Sequence, residues 1–198
     1  MLLHYGIFQP YLCENFSFMN CTVFITLEPY LAQWFAHENG GSNPIKVKRG
    51  SAESDLLRFF LIPQPRDPDY QRQINPLPGQ VEILLPNFKY KDTRYCNFLP
   101  PAGEKAIRQC IRNRFKIQLW KDLYTIENQN RRIDITISEW MEAHGIIEDD
   151  TNWNTIAKIF QRCKAIYFDN RRLTSRKSSK HRKKEEKFSQ PQNEFVHL

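Results

Sequence analysis

The sequence lacks the motifs on which most enzyme chemistry depends. It has no P-loop, no G-x-S-x-G nucleophile elbow and no H-E-x-x-H zinc motif. Its five histidines are scattered along the chain. His144 is expected at a helix C-terminus, where a partly cationic ring suits the helix dipole. We therefore predict a non-enzymatic protein without catalytic residues, cofactor or bound metal.

Long apolar runs, glycine and paired cysteines are also scarce. No run of about 18 apolar residues is present, so no membrane span or membrane partner is predicted. Only seven glycines argue against a Gly-rich barrel or a flexible binding loop. The five cysteines form no C-x-x-C pair, and an odd number suits a disulfide framework poorly. Reduced thiols in a cytosolic protein are the simplest interpretation.

The chain does contain enough apolar residues for a packed core, since 40% of its residues are hydrophobic and 13% are aromatic. Residues 1–18 lack periodicity and are interpreted as a loose arm or a start-site extension. Residues 19–98 are predicted to form a small β-α-β-α-β unit, with a Pro-rich surface connection at 63–80. Residues 99–170 are predicted to form three helices. The expected class is therefore α+β, with a helix-turn-helix-like bundle and a disordered basic tail at 171–198.

Local signals place the elements within these units. Strands are expected where β-branched and aromatic residues cluster. Helices are expected where apolar residues recur every three or four positions after a start signal such as Pro29, Ser51 or Asp149. Gly145 suits the left-handed position that follows a helix. The predicted strands are 22–27, 44–48 and 81–85, and the predicted helices of the second unit are 103–126, 133–144 and 151–170.

The last two predicted helices have the layout of a helix-turn-helix, because a short helix, a Gly-bearing turn and a longer basic helix follow one another. The side of the last helix opposite its apolar stripe carries residue types that hydrogen-bond base edges or phosphates. The turn is longer than the usual ~3–4 residues. A plain three-helix bundle with a solvated face is therefore the alternative. The candidate nucleic-acid-binding residues here are Asn154, Lys158, Gln161 and Arg162.

The positive charge is concentrated in the basic tail. The chain has a net charge of +7, and residues 171–198 hold nine Lys and Arg against three Asp and Glu, whereas residues 1–98 hold nine of each. A cationic arm after a helix is a common way to hold a polyanion such as DNA. An anionic membrane is less favoured, since residues 174–187 contain no apolar residue, and a solubilising tail is the other alternative. The candidate residues are Arg171, Arg172, Arg176, Lys177, Lys180, Arg182, Lys183 and Lys184.

The first long helix carries a second basic pattern, in which positions 105, 108, 112 and 116 fall on one side. Such a stripe could lie along phosphates. We favour an ordinary charged face, in which nearby acids neutralise the cations. The acids expected to do so are Glu127, Glu139 and Glu142.

The run Phe88-Lys89-Tyr90-Lys91, followed by Arg94-Tyr95, interleaves aromatic and basic residues. Exposed rings beside cations are typical of proteins that bind single-stranded nucleic acid. We favour a half-buried edge strand, with Phe88 and Tyr90 pointing inward and Lys89 and Lys91 outward.

Across residues 19–170 the chain resembles small uncharacterised proteins found in bacterial phage and transposon regions. The features that carry this resemblance are Thr22–Glu38, Pro44–Leu61 and the run Asn97-Phe98-Leu99-Pro100-Pro101 before a helix that ends in Leu119-Trp120-Lys121-Asp122-Leu123. The resemblance implies a mobile-element setting and transfers no functional residue. Thr22–Glu38 also resembles ribbon-helix-helix proteins more loosely, but Pro44–Lys48 inserts a strand where that family has its second helix.

Together these patterns predict a DNA-binding accessory or regulatory protein of a bacterial mobile element, located in the cytoplasm and at the nucleoid when bound to DNA. Its expected partner is double-stranded DNA. Two alternatives stay open. One is a protein-protein adaptor, which would use residues 19–98 for contacts that include a homodimer, and the other is a single-stranded DNA or RNA binder that uses Tyr90 and Tyr95.

Overall fold

The computed structural model describes residues 21–66, 73–127 and 132–188, of which 125–127 and 173–188 are described by their backbone alone. Within these residues the chain forms three strands and five helices. The predicted arm at 1–18 lies outside the described residues, as do residues 67–72 of the Pro-rich connection. In chain order the elements are β1 (Thr22–Thr26), α1 (Pro29–Glu38), β2 (Ile45–Lys46), α2 (Ala52–Phe60), β3 (Gln80–Leu84), α3 (Pro101–Glu127), α4 (Ile133–Ala143) and α5 (Asp150–Phe188).

The strands form one small sheet in the order β1-β3-β2. β3 pairs antiparallel with β1, so that Val23 lies opposite Ile83, and parallel with β2, so that Ile45 also lies opposite Ile83. Successive strand residues point to opposite faces, and the alternate residues Val23, Ile25 and Ile83 are buried on one of them. The predicted α+β class is confirmed.

The short helices begin where the sequence predicted. Pro29 occupies the first turn of α1, where its missing N–H costs no hydrogen bond. Ser51 caps α2, because its side-chain oxygen accepts a hydrogen bond from the Ser54 N–H at 3.2 Å. Both helices are therefore fixed at their N-termini by local sequence.

The long helix α3 is the spine of the molecule and contacts β1 and the other four helices. Its residues Ile107, Ile111, Phe115, Leu119 and Leu123 are all fully buried, as their four-residue repeat predicted. The Phe115 ring packs edge-on against three other rings, with centroid distances of 5.2–5.6 Å. Those rings are Tyr30 and Trp34 of α1 and Trp140 of α4, so one core joins the sheet side to the C-terminal helical bundle.

Two glycines allow close approaches between elements. A Cβ on Gly103, in the first turn of α3, would lie 2.7 Å from side-chain atoms of Leu99 and Phe60. Gly145 follows α4 with φ +66°, the left-handed conformation that the sequence predicted. A Cβ there would lie 2.8 Å from His37. Larger residues at these positions would separate α2 from α3 and α4 from α1.

The last helix is longer than predicted. α5 continues for 39 residues to Phe188, so residues 171–188 of the basic tail are helical and the prediction of disorder is wrong there. A helix that has already formed extends at little cost, and 150–188 contains neither Gly nor Pro. Residues 189–198 lie outside the described residues. Among the described helices, none combines the length and the hydrophobicity needed to cross a bilayer.

Candidate nucleic-acid interface

The turn between α4 and α5 has a defined hydrogen-bonded structure. The Asp149 carboxylate accepts the Asn152 N–H at 2.7 Å, which caps the start of α5. Asn152 is buried, and its side-chain amide donates to the Ile147 carbonyl at 3.0 Å and to Asp149 at 2.9 Å. The direction in which α5 leaves the turn is therefore set by local bonds.

The same turn is held against the body of the protein. The Ile147 N–H donates to the side chain of Gln33 in α1 at 2.9 Å. His144 ends α4, with Nδ1 2.8 Å from the Trp140 carbonyl and Nε2 3.0 Å from the Gln118 amide nitrogen of α3. Trp140 in turn donates its indole N–H to Asp122 at 3.1 Å. Contacts to α1 and α3 thus fix the base of α5.

The inner face of α5 packs on α3 as far as Tyr167. Ile156 and Phe160 are buried, and the Trp120 ring lies 5.6 Å from Phe160 and 5.2 Å from Tyr167. Burial raises the pKa of the nearby Cys163 thiol, so this cysteine stays protonated. The first half of α5 is therefore a packed helix with one free side.

That free side carries the residues that the sequence singled out. Asn154, Lys158, Gln161 and Arg162 are all exposed. The Asn154 amide donates to the Asp150 carbonyl at 2.7 Å, which holds it against its own helix. Among the described side chains, neither Lys158 nor Arg162 forms an ion pair with an acid.

Because α5 is one helix, its two groups of candidate residues share a single axis. At about 100° per residue, ten positions from 154 to the end of α5 fall within about 40° of Lys158. Seven of the ten are Lys or Arg, and Asp169 is the one acid. We call this set the basic stripe: positions 154, 158, 162, 165, 169, 172, 176, 180, 183 and 187.

The basic stripe does not include every predicted residue. Gln161 flanks it, whereas positions 177 and 184 fall on one side of the helix and positions 171 and 182 on the other. Arg171 and Arg172 are both exposed. Lys187 was not among the predicted residues. Only the continuation of the helix reveals that its position joins the basic stripe.

The basic face of α3 differs, because its arginines are paired with acids. Arg108 pairs with Glu104, Arg112 with Glu28, and Arg114 with Glu53 at 2.9 Å. These acids are not the ones that the sequence suggested, since two of them come from the start of α1 and from α2. Lys105 and Lys116 stay exposed on the same helix. The arginine charge on α3 is therefore largely neutralised within the fold.

The segment from Phe88 to Lys91 also differs from the edge strand that the sequence favoured. Tyr90 is 85% exposed, so the prediction that it points inward in an edge strand is wrong. Phe88 and Lys91 instead pair across a tight turn. The Lys91 ammonium points inward and donates to the Leu61 carbonyl at 2.8 Å and to the Arg58 carbonyl, capping the end of α2. The inward Lys91 leaves Tyr90 at the tip of the turn.

Within the described ranges, His, Cys, Asp and Glu residues form no group of three or more that could hold a metal ion. Comparisons of the chain with family models, with curated proteins and with solved structures gave no match.

Proposed function

We propose that this protein binds double-stranded DNA through the basic stripe of α5, as a non-enzymatic accessory or regulatory protein. One observation carries the proposal: a single continuous helix has seven Lys or Arg positions on one side, and the three whose side chains are described, Lys158, Arg162 and Arg172, are exposed. The mobile-element setting rests on the resemblance of residues 19–170 alone.

The two halves of the basic stripe suit different parts of a duplex. The first half carries Asn154 and Arg162, with Gln161 beside them, and these types can bond adenine or guanine edges. The second half carries Arg and Lys at positions 172, 176, 180, 183 and 187, which suit phosphates. An α-helix fits the major groove, which is about 12 Å wide. In this proposal α4, the turn and the start of α5 act as a helix-turn-helix.

Charge pairing favours α5 over α3 as the binding helix. A cation that already has a carboxylate partner gains less from a phosphate, because the ion pair must first be broken. Three α3 arginines have such partners, whereas Lys158 and Arg162 have no acid partner among the described side chains.

The test is the double variant Lys158→Ala with Arg162→Ala, measured by fluorescence anisotropy with a labelled random-sequence duplex at several salt concentrations. We expect a loss of affinity of about tenfold or more, and a salt slope lower by about 1 for each residue that contacts a phosphate. The reason is that both side chains lie in the basic stripe and form no ion pair with a described acid.

The matched control is Lys46→Ala with Lys48→Ala, which removes the same charge from two exposed residues at β2. This control should bind nearly as wild type. Equal affinity of both double variants and wild type would exclude α5 as the binding surface. Circular dichroism of each variant checks that the fold is unchanged.

A further inference from the structure

Three basic-aromatic pairs lie around the end of α2 and the loop that follows β3. They are Arg58-Phe59, Lys89-Tyr90 and Arg94-Tyr95, and together we call them the basic-aromatic surface. Each ring directly follows a cation in sequence. We infer that this surface binds an unpaired nucleic-acid strand by stacking its bases on the three rings.

The three rings are far more exposed than large apolar side chains usually are. Phe59 is 75% exposed, Tyr90 85% and Tyr95 72%. Leaving a ring of this size in water forgoes the stabilisation that burial would give. Single exposed aromatics are common in proteins. Three in one region, each beside a cation, are what a stacking surface requires.

Specific contacts bring the first two pairs together. The Lys91 ammonium bonds to the carbonyls of Arg58 and Leu61, so the turn that carries Lys89 and Tyr90 lies beside Phe59. Phe59 and Lys91 line the same open groove, whose volume is about 730 Å³.

The third pair follows in the next turn of the same loop. That turn is closed by the Tyr95 N–H, which donates to the Asp92 carbonyl at 3.2 Å. The side-chain amide of Asn97, which is buried, donates to the Arg94 carbonyl at 3.1 Å. The backbone that carries Arg94 and Tyr95 is therefore held in place.

The charges on this surface favour nucleic acid over a protein partner. The Lys89 ammonium lies over the neighbouring Tyr90 ring, 5.1 Å from its centroid, so a cation stands beside an exposed aromatic side chain. Arg58 pairs with Asp55 at 3.2 Å and Arg94 with Asp92 at 2.7 Å. These two arginine side chains are 58% and 79% exposed, against 31–36% for the paired arginines of α3. Ion pairs this exposed contribute little stability, so less is lost when a phosphate replaces the carboxylate.

This inference does not depend on the duplex proposal, because the basic-aromatic surface shares no residue with the basic stripe. The probe is a labelled oligothymidine of about 15 nucleotides, compared with an abasic oligonucleotide of the same length. Both strands carry the same phosphates, so the cations of α5 attract them equally. The ratio of the two affinities therefore reports base contacts alone.

For the wild-type chain we expect the oligothymidine to bind at least about tenfold more tightly than the abasic strand. The triple variant Phe59→Ala, Tyr90→Ala and Tyr95→Ala should bind both strands equally, with an unchanged salt slope and unchanged duplex affinity. Replacing both tyrosines with phenylalanine keeps the rings and should keep the ratio. The control Ile74→Ala with Leu77→Ala removes two exposed apolar side chains elsewhere and should also keep it.

Equal affinity of the wild type for the two strands would overturn the inference, as would a triple variant that keeps the wild-type ratio. If the basic-aromatic surface instead binds a protein partner, the wild type should bind the oligothymidine and the abasic strand with equal affinity. Failure of the duplex proposal would show only in the Lys158 and Arg162 variants, so the two results are separable.

Discussion

α3 and α5 are both long helices with basic residues on one side, yet their charges have different surroundings. α3 runs through the centre of the fold, and its arginines meet carboxylates from α1, α2 and its own first turn. The described side chains of α5 pack on α3 through Phe160 and Tyr167, and the helix continues to Phe188. The comparison shows that acids supplied by other elements decide which basic helix keeps its charge available.

One of the α3 arginines also has a structural role in the core. The Arg114 guanidinium lies 5.0 Å from the Trp34 ring centroid and 5.6 Å from that of Phe35, a cation-π arrangement over the core. Its partner Glu53 is buried, and a buried carboxylate needs such a cation. Substitutions on α3 should therefore change stability, and substitutions on the outer side of α5 should change binding.

The largest effect is expected from removing residues 173–198, which ends α5 at Arg172. Seven Lys and Arg residues are lost, so duplex affinity should fall by about 100-fold or more near 0.1 M salt, with a flatter salt dependence. Every buried core residue that the structure describes lies before this point, so the thermal midpoint should stay within a few degrees. Anisotropy titrations and calorimetry measure the two quantities. Duplex affinity that survives the truncation would contradict a binding role for the tail.

A smaller effect should show whether duplex affinity depends on where the charges lie on α5 or only on how many there are. The variant Arg176→Gln, Lys180→Gln and Lys183→Gln removes three charges from the basic stripe, and Lys177→Gln, Arg182→Gln and Lys184→Gln removes three from other sides of α5. Glutamine keeps a good helix propensity in both. We expect the first variant to lose duplex affinity by about tenfold and the second by only a few-fold. Equal losses would mean that the tail acts by charge alone, whatever its conformation.

The smallest effect concerns α3. Arg112→Ala should cost about 0.5–1 kcal/mol of stability, since the partly exposed pair with Glu28 is lost, and should leave duplex affinity unchanged. Burial acts to raise the pKa of Glu28, but its hydrogen bond and charge interaction with Arg112 lower it overall. The pair therefore stabilises the fold at neutral pH, and this contribution is lost as the pH falls through the lowered pKa.

Urea unfolding of wild type and Arg112→Ala at several pH values tests this expectation, because the difference between them should shrink in acid. A difference that stays constant or grows as the pH falls would show that Glu28 is not the partner that matters. A loss of duplex affinity in Arg112→Ala would contradict the contrast between the two helices.

Local signals in the sequence located the elements well, for physical reasons that single residues illustrate. Pro29 and Ser51 act on their own first turns, and the repeat from Ile107 to Leu123 depends only on helical periodicity. Gly145 adopts the predicted left-handed conformation. Such features need no knowledge of distant residues, so they can be read from the chain directly.

Features that depend on distant partners were missed. Arg112 and Glu28 are 84 residues apart, and Lys91 lies 30 residues from the Leu61 carbonyl that turns it inward. No local pattern marks either contact, so the partners of the α3 arginines and the exposure of Tyr90 were both predicted wrongly. The end of α5 was missed for another reason. Basic residues were interpreted as disordered, although Arg and Lys extend a formed helix readily.

The rigidity of α5 has a consequence for how the molecule meets its target. A disordered tail samples a sphere around its attachment point and captures a target before the rest of the protein is oriented. A rod of 39 residues is about 58 Å long, comparable to the axial length of about 17 base pairs. In a straight helix, the orientation of the base sets the position of the far end. Docking would then be one concerted event, and the turn at Asp149 and Asn152 would dictate where the distal end lands.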